Sequence, residues 1–216
     1  MSVALQLKRL ARSALVPMIY RYPPFALQPE RLYLFLHYLI ETRDVPGPVV
    51  EIGCNLGGTA IIAKRMMRGL GIDKPYICID TFDGFIAEQF AIDEALGTPA
   101  EVHDLFSGNS KELVAKILRR HRCDDIELRQ GNITTLPDEA LPDNCSAVLV
   151  DVDLTEPTYA ALKRFWPRMA CGGVMLVDDC PENSGWKARI GYSRFCCDHA
   201  LSESYRFGMG LATRTA

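Results

Sequence analysis

From Gln28 onward the chain alternates short aliphatic runs with longer segments of helical period, and this alternation constrains its fold more than any other feature. Pro29 suits a first helical turn, and Leu32, Leu34, Phe35, Tyr38 and Leu39 repeat at helical spacing until Pro46-Gly47-Pro48 stops the helix. Val49 to Ile52 then reads as a first strand, Thr59 to Leu70 as a helix ended by Gly71, and Tyr76 to Ile79 as a second strand closed by Asp80. Lys111 to His121 is expected to be helical, followed by strands at Ile126 to Arg129, Ser146 to Val150 and Val174 to Val177. Tyr159 to Met169 and Lys187 to Ala200 supply further helices, and Tyr205 to Thr215, split by Gly208 and Gly210, suits a closing hairpin. Strands and helices in this order predict a single-domain α/β fold of doubly wound, Rossmann-like type. Its sheet should be mostly parallel with an antiparallel C-terminal hairpin, and ligands should bind beyond the carboxyl ends of its strands.

The stretch from Thr81 to Ser110, with Gly84, Gly97, Pro99 and Gly108, shows no sustained period and reads as a broken excursion over the top of the sheet. Loops of that length inside compact domains commonly serve as lids or binding loops. At 216 residues and 48% hydrophobic content the chain can bury one sizeable core, so one domain is expected over residues 28–216. Residues 1–27 differ. They carry Lys8, Arg9, Arg12 and Arg21 without an acid, against Leu5, Leu10, Leu15, Val16, Met18 and Ile19. This basic amphipathic segment could pack on the domain or on a second copy in a homo-oligomer, a dimer being expected. Alternatively, residues 1–22 could rest peripherally on an anionic membrane. No apolar run approaches the roughly 20 residues that span a bilayer.

A formal charge of -3 lacks the clustered basic excess that phosphate neutralisation demands, which argues against nucleic acid as a partner. The eight cysteines show no CxxC spacing and several fall in apolar runs, so buried reduced thiols, a cytoplasmic location and no zinc are expected.

Asp151-Val152-Asp153 and Asp178-Asp179 each follow an aliphatic run directly. Carboxylates this dense at the mouth of a sheet repel one another unless a cation sits among them, so the pairing points to a metal site of hard oxygen ligands. Upstream, Glu51-Ile52-Gly53-Cys54-Asn55-Leu56-Gly57-Gly58 places a glycine-rich turn between a strand and a helix. The dinucleotide fingerprint G-x-G-x-x-G is not met, because Asn55 stands where its second glycine belongs, and this weakens NAD. An acid ending the first strand, glycines beyond it and Asp80 ending the second strand match the arrangement of class I S-adenosylmethionine methyltransferases. Gly53 and Gly57 would let the backbone approach the amino-acid moiety, Glu51 would orient that end, and Asp80 would accept the ribose hydroxyls.

Ile79-Asp80-Thr81-Phe82-Asp83-Gly84-Phe85, then Gly131-Asn132-Ile133-Thr134-Thr135-Leu136-Pro137, then Asp151 to Thr158, then Gly172-Gly173 leading to Asp178-Asp179, resembles the macrocin O-methyltransferase family in order and spacing. The likeness spans roughly Pro29 to Thr215. It implies a metal-dependent methyltransferase acting on sugar hydroxyls, with Asp151, Asp178 and Asp179 holding magnesium. The chain departs from the family pattern at Asn55, Thr155 and Cys180, departures that bear on the acceptor. S-adenosylmethionine contacts are expected at Glu51, Gly53, Asn55, Gly57, Gly58, Asp80, Thr81, Phe82, Gly131, Asn132 and Asp151. His103, in the excursion, is the first candidate for general base and Asp153 the second, while His37, His121 and His199 read as surface or packing residues. Trp186 and Tyr192 could line a sugar pocket. Competing readings are a catechol-type methyltransferase, a metal-dependent oxygenase on the same fold, and a non-enzymatic membrane-docked module.

Overall fold

The computed structural model describes residues 10–215. Residues 10–14 are helical and, after a turn at Leu15, α1 (Val16–Ile19) continues the segment. There follow α2 (Pro29–Glu41), β1 (Val49–Ile52), α3 (Gly58–Gly69), β2 (Tyr76–Asp80), α4 (Ala87–Ala95), α5 (Lys111–Arg120) and β3 (Glu127–Gln130). The chain closes with β4 (Cys145–Val150), α6 (Thr155–Phe165), β5 (Met169–Val177), α7 (Ala188–Asp198), β6 (Tyr205–Arg206) and β7 (Met209–Thr213). The strands form one seven-stranded sheet in the order β3-β2-β1-β4-β5-β7-β6. Neighbours from β3 to β5 pair in parallel, and β7 runs antiparallel to both β5 and β6. The doubly wound sheet and its C-terminal hairpin therefore agree with the sequence.

Alternation along β1 divides the core. Val49 faces Leu34, Phe35, Ala60, Ile61, Met67, Val114 and Leu118 from α2, α3 and α5, whereas Val50 and Ile52 face Ala161, Leu162 and Phe165 of α6 and Tyr192 and Phe195 of α7. Period-2 strands place successive side chains on opposite faces, so a sheet covered on both sides needs apolar residues at every position. Glu51 breaks that rule, being 1% exposed in the middle of β1.

Three elements differ from the sequence reading. The excursion contains α4, hidden because only Phe90 and Asp93 of its nine residues are buried, which leaves no apolar stripe to recognise. The helix expected at 159–169 begins at Thr155, and a 3-10 turn at Trp166–Arg168 ends it at the proline. β5 starts at Met169, five residues early, because Gly172 (φ +82°) and Gly173 form a bulge inside the strand and not a turn before it. A Cβ on Gly173 would lie 2.9 Å from the Cys145 carbonyl oxygen, which explains why the bulge takes glycine there.

In the N-terminal segment, Leu5, Lys8 and Arg9 lie outside the described residues. Val16 and Tyr20 are buried in the core, and His121 Nε2 contacts the Tyr20 carbonyl oxygen at 3.1 Å. Leu10, Met18 and Tyr22 on the other side are at least two-thirds exposed. No helix among the described residues is long and apolar enough to cross a membrane. All eight cysteines are free thiols, six of them buried.

Candidate active site

Backbone hydrogen bonds continue past the strand ends and so bring the chemical residues side by side. Gly131 N donates to Asp80 O, Gly53 N to Ile79 O, Asp151 N to Ile52 O, and Asp178 N to Val150 O, all within 2.8–2.9 Å. The strand order reverses between β1 and β4, and there the turns diverge and leave a cavity of about 560 Å³ at the carboxyl ends. Glu51, Gly53, Asn55, Gly58, Asp80, Thr81, Gly131, Asn132 and Asp151 line it, as do Asp153, Asp178 and Asp179.

On the β1–β2 side the acids are held by fixed donors. Asp80 Oδ2 accepts from Asn55 N at 2.8 Å and Oδ1 from Phe82 N at 2.7 Å. Burial raises the Asp80 carboxyl and these backbone amides pull it back. Asn55 (φ 47°) and Phe82 (φ 54°) both adopt left-handed backbone, the geometry that aims their amides at Asp80. Asparagine tolerates that region, so Asn55 does here what glycine does in the dinucleotide turn. Asn109 Nδ2 donates to the Asn55 carbonyl at 2.7 Å and fixes the turn from the lid. Tyr76 Oη donates to Glu51 Oε2 at 2.6 Å, and burial pushes the Glu51 carboxyl up to about 8.

Two of the expected cofactor residues are not on the cavity wall. Gly57 (φ +75°) caps α3, where a Cβ would lie 3.2 Å from Leu118 and 3.4 Å from Val114, while the Phe82 side chain is 1% exposed in the core. Gly58 reaches the wall, but a Cβ there would lie 2.3 Å from Pro24 C and Phe25 N. Its missing side chain thus lets the N-terminal segment close over the turn.

On the β4–β5 side the acids face one another. Burial, with Asp178 and Asp153 close by, pushes the Asp151 carboxyl well above the usual range, and burial with the Asp179 charge does the same to Asp153. Burial and Asp179 push Asp178 up to about 6, with Arg31 pulling against them. Asp153 (φ 63°) and Asp179 (φ 53°) hold left-handed backbone, which aspartate enters more readily than most side chains. Arg31 Nη1 donates to Asp178 Oδ1 at 2.9 Å and to Asp179 Oδ1 at 2.6 Å. Among the described residues, no three carboxylates, imidazoles or thiols are already drawn together as a coordination shell. The donor set nonetheless suits a hard divalent cation: buried carboxylates crowd one cavity mouth at the cost of raised proton affinity.

The lid crosses above. Phe85, Gln89, Leu105, Phe106 and Asn109 line the cavity, and Phe85 packs on Phe106 and on Trp186 with centroids 5.2 and 5.7 Å apart. Asp93, fully buried, accepts from Thr155 N at 2.6 Å and so pins α4 to the start of α6. His103 stays off the wall. Its Nδ1 lies 3.0 Å from Asp104 Oδ1 and its ring packs edge-on against Phe90. Trp186 is on the wall, but Tyr192 is fully buried, donating to the Leu211 carbonyl at 2.6 Å, and belongs to the core. His121 is buried and takes Arg65 Nη2 at Nδ1, His37 stacks on Tyr33, and His199 packs at a tilt against Phe195, all in packing roles. Arg31, Asp93 and Asn109 were missed by the sequence reading. Each acts across more than 50 positions of chain, and no local signal marks it.

The macrocin O-methyltransferase (TylF) family model matches residues 35–203. Among characterised proteins, the chain is 27% identical over 152 residues to the 8-demethyl-8-(2,3-dimethoxy-alpha-L-rhamnosyl)-tetracenomycin-C 4'-O-methyltransferase of Streptomyces olivaceus, covering 67% of this chain and 58% of that one. It is 28% identical over 153 residues to the demethyldecarbamoylnovobiocin O-methyltransferase of Streptomyces niveus, covering 64% and 56%. The chain thus spans less than two-thirds of either relative's length. Among solved structures, the O-methyltransferase NovP superposes with a TM-score of 0.76 at 18% identity over 99% of both chains. The calicheamicin methyltransferase CalS11 gives 0.70 at 18%, over 99% of this chain and 93% of that one. These two show a shared fold. The family match runs from α2 through α7 and takes in every strand end that builds the cavity, and on that footing the chain belongs to the macrocin O-methyltransferase family.

Proposed function

We propose that this protein is an S-adenosylmethionine-dependent, magnesium-dependent O-methyltransferase whose acceptor is a sugar hydroxyl of a glycoside or oligosaccharide. The observation that carries the reading is the meeting, in one cavity, of an amide-held Asp80 and a cluster of four aspartates. The first suits a nucleoside and the second a cation with neighbouring hydroxyls. The dimethoxyrhamnosyl group in the name of the Streptomyces olivaceus relative supports the acceptor class.

S-adenosylmethionine would supply an electrophilic methyl group and magnesium a Lewis acid that acidifies a bound hydroxyl. Asp80 and the Gly53–Asn55 turn would hold the donor's ribose and amino-acid ends, with Gly131 and Asn132 beside the base. Asp151, Asp178 and Asp179 would hold the metal. Methyl transfer needs donor carbon and acceptor oxygen in line at about 3 Å, so the protein's main task is alignment. Phe85, Phe106 and Trp186 offer ring faces that sugar C–H groups can lie against. The hydroxyl proton needs an acceptor, and Asp153, on the wall with proton affinity raised by burial and Asp179, is better placed for it than His103.

The exposed Leu10, Met18 and Tyr22 support a dimer contact through the N-terminal segment, and the free thiols support a reducing compartment such as the cytoplasm. The deciding experiment offers S-adenosylmethionine and magnesium with rhamnosides, other glycosides and catechols at equal concentration. Glycosides should gain about 14 Da, the mass of CH2. A gain of about 16 Da would identify an oxygenase, preference for catechols would move the acceptor class, and no turnover with liposome binding would favour the docking module.

A further inference from the structure

Arg31 enters the acid cluster from the far end of the chain. It lies in the first turn of α2, is 6% exposed, and donates from Nε to the Phe207 carbonyl oxygen at 3.3 Å. The next residue, Gly208 (φ +75°), leaves the space the guanidinium fills: a Cβ there would stand 3.1 Å from Arg31 Nη2. The side chain therefore sits in a built socket between a helix, a hairpin turn and two carboxylates. Its Nη1 bridges Oδ1 of Asp178 and Oδ1 of Asp179, so a single positive charge is shared between two carboxylates and offsets only part of theirs.

We propose that Arg31 is a resident cation that occupies the acid pair until a divalent ion displaces it. The inference deepens the magnesium role proposed above and rests on it. A divalent ion bonded to those same oxygens at about 2.1 Å would lie within a few Å of the guanidinium, a separation at which two cations repel strongly. Metal entry is thereby coupled to withdrawal of Arg31, and through Nε to the Phe207–Gly208 turn of the β6–β7 hairpin. Without a metal, the guanidinium keeps the two carboxylates from driving each other apart. Metal affinity then reflects a competition, and lowering the resident charge should raise it.

The test is calorimetric titration of magnesium or manganese into the full-length protein with S-adenosylhomocysteine present, comparing the parent with Arg31→Met and Arg31→Lys. Arg31→Met should bind the ion at least tenfold more tightly, Arg31→Lys should stay near the parent, and Arg31→Met should melt lower in EDTA and gain more on adding metal. Equal or weaker binding by Arg31→Met, with the parent binding normally, would show that Arg31 orients the carboxylates and overturn the inference alone. No ion binding to any form would remove the magnesium reading and the inference together. If Arg31→Met does not fold, the Arg31 Nε–H resonance, assigned by its loss in Arg31→Lys, decides in the parent protein. Saturating magnesium should shift it and strip its exchange protection, and an unmoved signal would overturn the inference.

Discussion

The two sides of the cavity solve the same problem differently. Beside β1 and β2, each carboxylate is held by a neutral donor of the protein: Asn55 N and Phe82 N for Asp80, Tyr76 Oη for Glu51. Beside β4 and β5, four aspartates line the wall with one guanidinium shared by Asp178 and Asp179, and burial with neighbouring charge raises the proton affinities of Asp151, Asp153 and Asp178. The first side is finished before any ligand arrives. The second is electrostatically incomplete, and a buried cluster of that kind gains most from a bound cation.

The contrast is broken most severely if a substitution on the acid side also empties the donor side. Asp178→Asn is expected to cut magnesium-dependent turnover by at least about a hundredfold, while S-adenosylhomocysteine affinity measured by equilibrium dialysis stays within about threefold. Equal losses in both would mean that the two sides are one site. Asp153→Asn should lower kcat by about a hundredfold or more with KM little changed, and His103→Ala should leave it within about twofold; the reverse order would hand the proton to the histidine. Asp80→Ala should weaken S-adenosylhomocysteine by roughly tenfold to a hundredfold, the worth of charge-assisted hydrogen bonds to a diol, with magnesium affinity unchanged by calorimetry.

A smaller effect sharpens the account of the first side. The Glu51 carboxyl, near 4.5 when unfolded, is pushed up to about 8 by burial. Between those values the unfolded chain has lost the proton while the folded protein keeps it. Stability should therefore fall as pH rises from about 4.5 to 8 and level off above, by a few kcal/mol in all. Urea midpoints at pH 5 and pH 8 should differ less in Glu51→Gln than in the parent, and an identical difference would place the titration elsewhere. Smallest of all, Asn109→Ala should cost about 1 kcal/mol by removing the lid's hydrogen bond to the Asn55 carbonyl, visible as a modest drop in melting temperature.

The sequence exposed the donor side more fully than its partner for a physical reason. Glu51, Gly53, Asn55 and Asp80 lie within one β-α-β unit, where the spacing of strand, turn and strand dictates who meets whom. Asp151, Asp178 and Asp179 were legible as well, because acids placed after aliphatic runs must collect at one edge of a parallel sheet. Arg31 was not, since its partners lie 147 and 148 residues away and only the docking of α2 against the C-terminal hairpin joins them. Gly57 and Phe82 stand in the same stretches of sequence but off the cavity wall, one opening α3 and the other offering its backbone amide to Asp80. His103 shows the limit of reading a lid: an excursion with no period reveals neither α4 nor which of its residues face inward.

Gly53 joins the two sides at a single crossing, where a Cβ would stand 1.8 Å from the Asp151 carbonyl oxygen. Neither neighbour can shift alone at such a seam. Changes in the excursion would leave this junction alone, whereas any side chain at Gly53 would push the β1 turn and the end of β4 apart and disturb both halves of the cavity in one stroke.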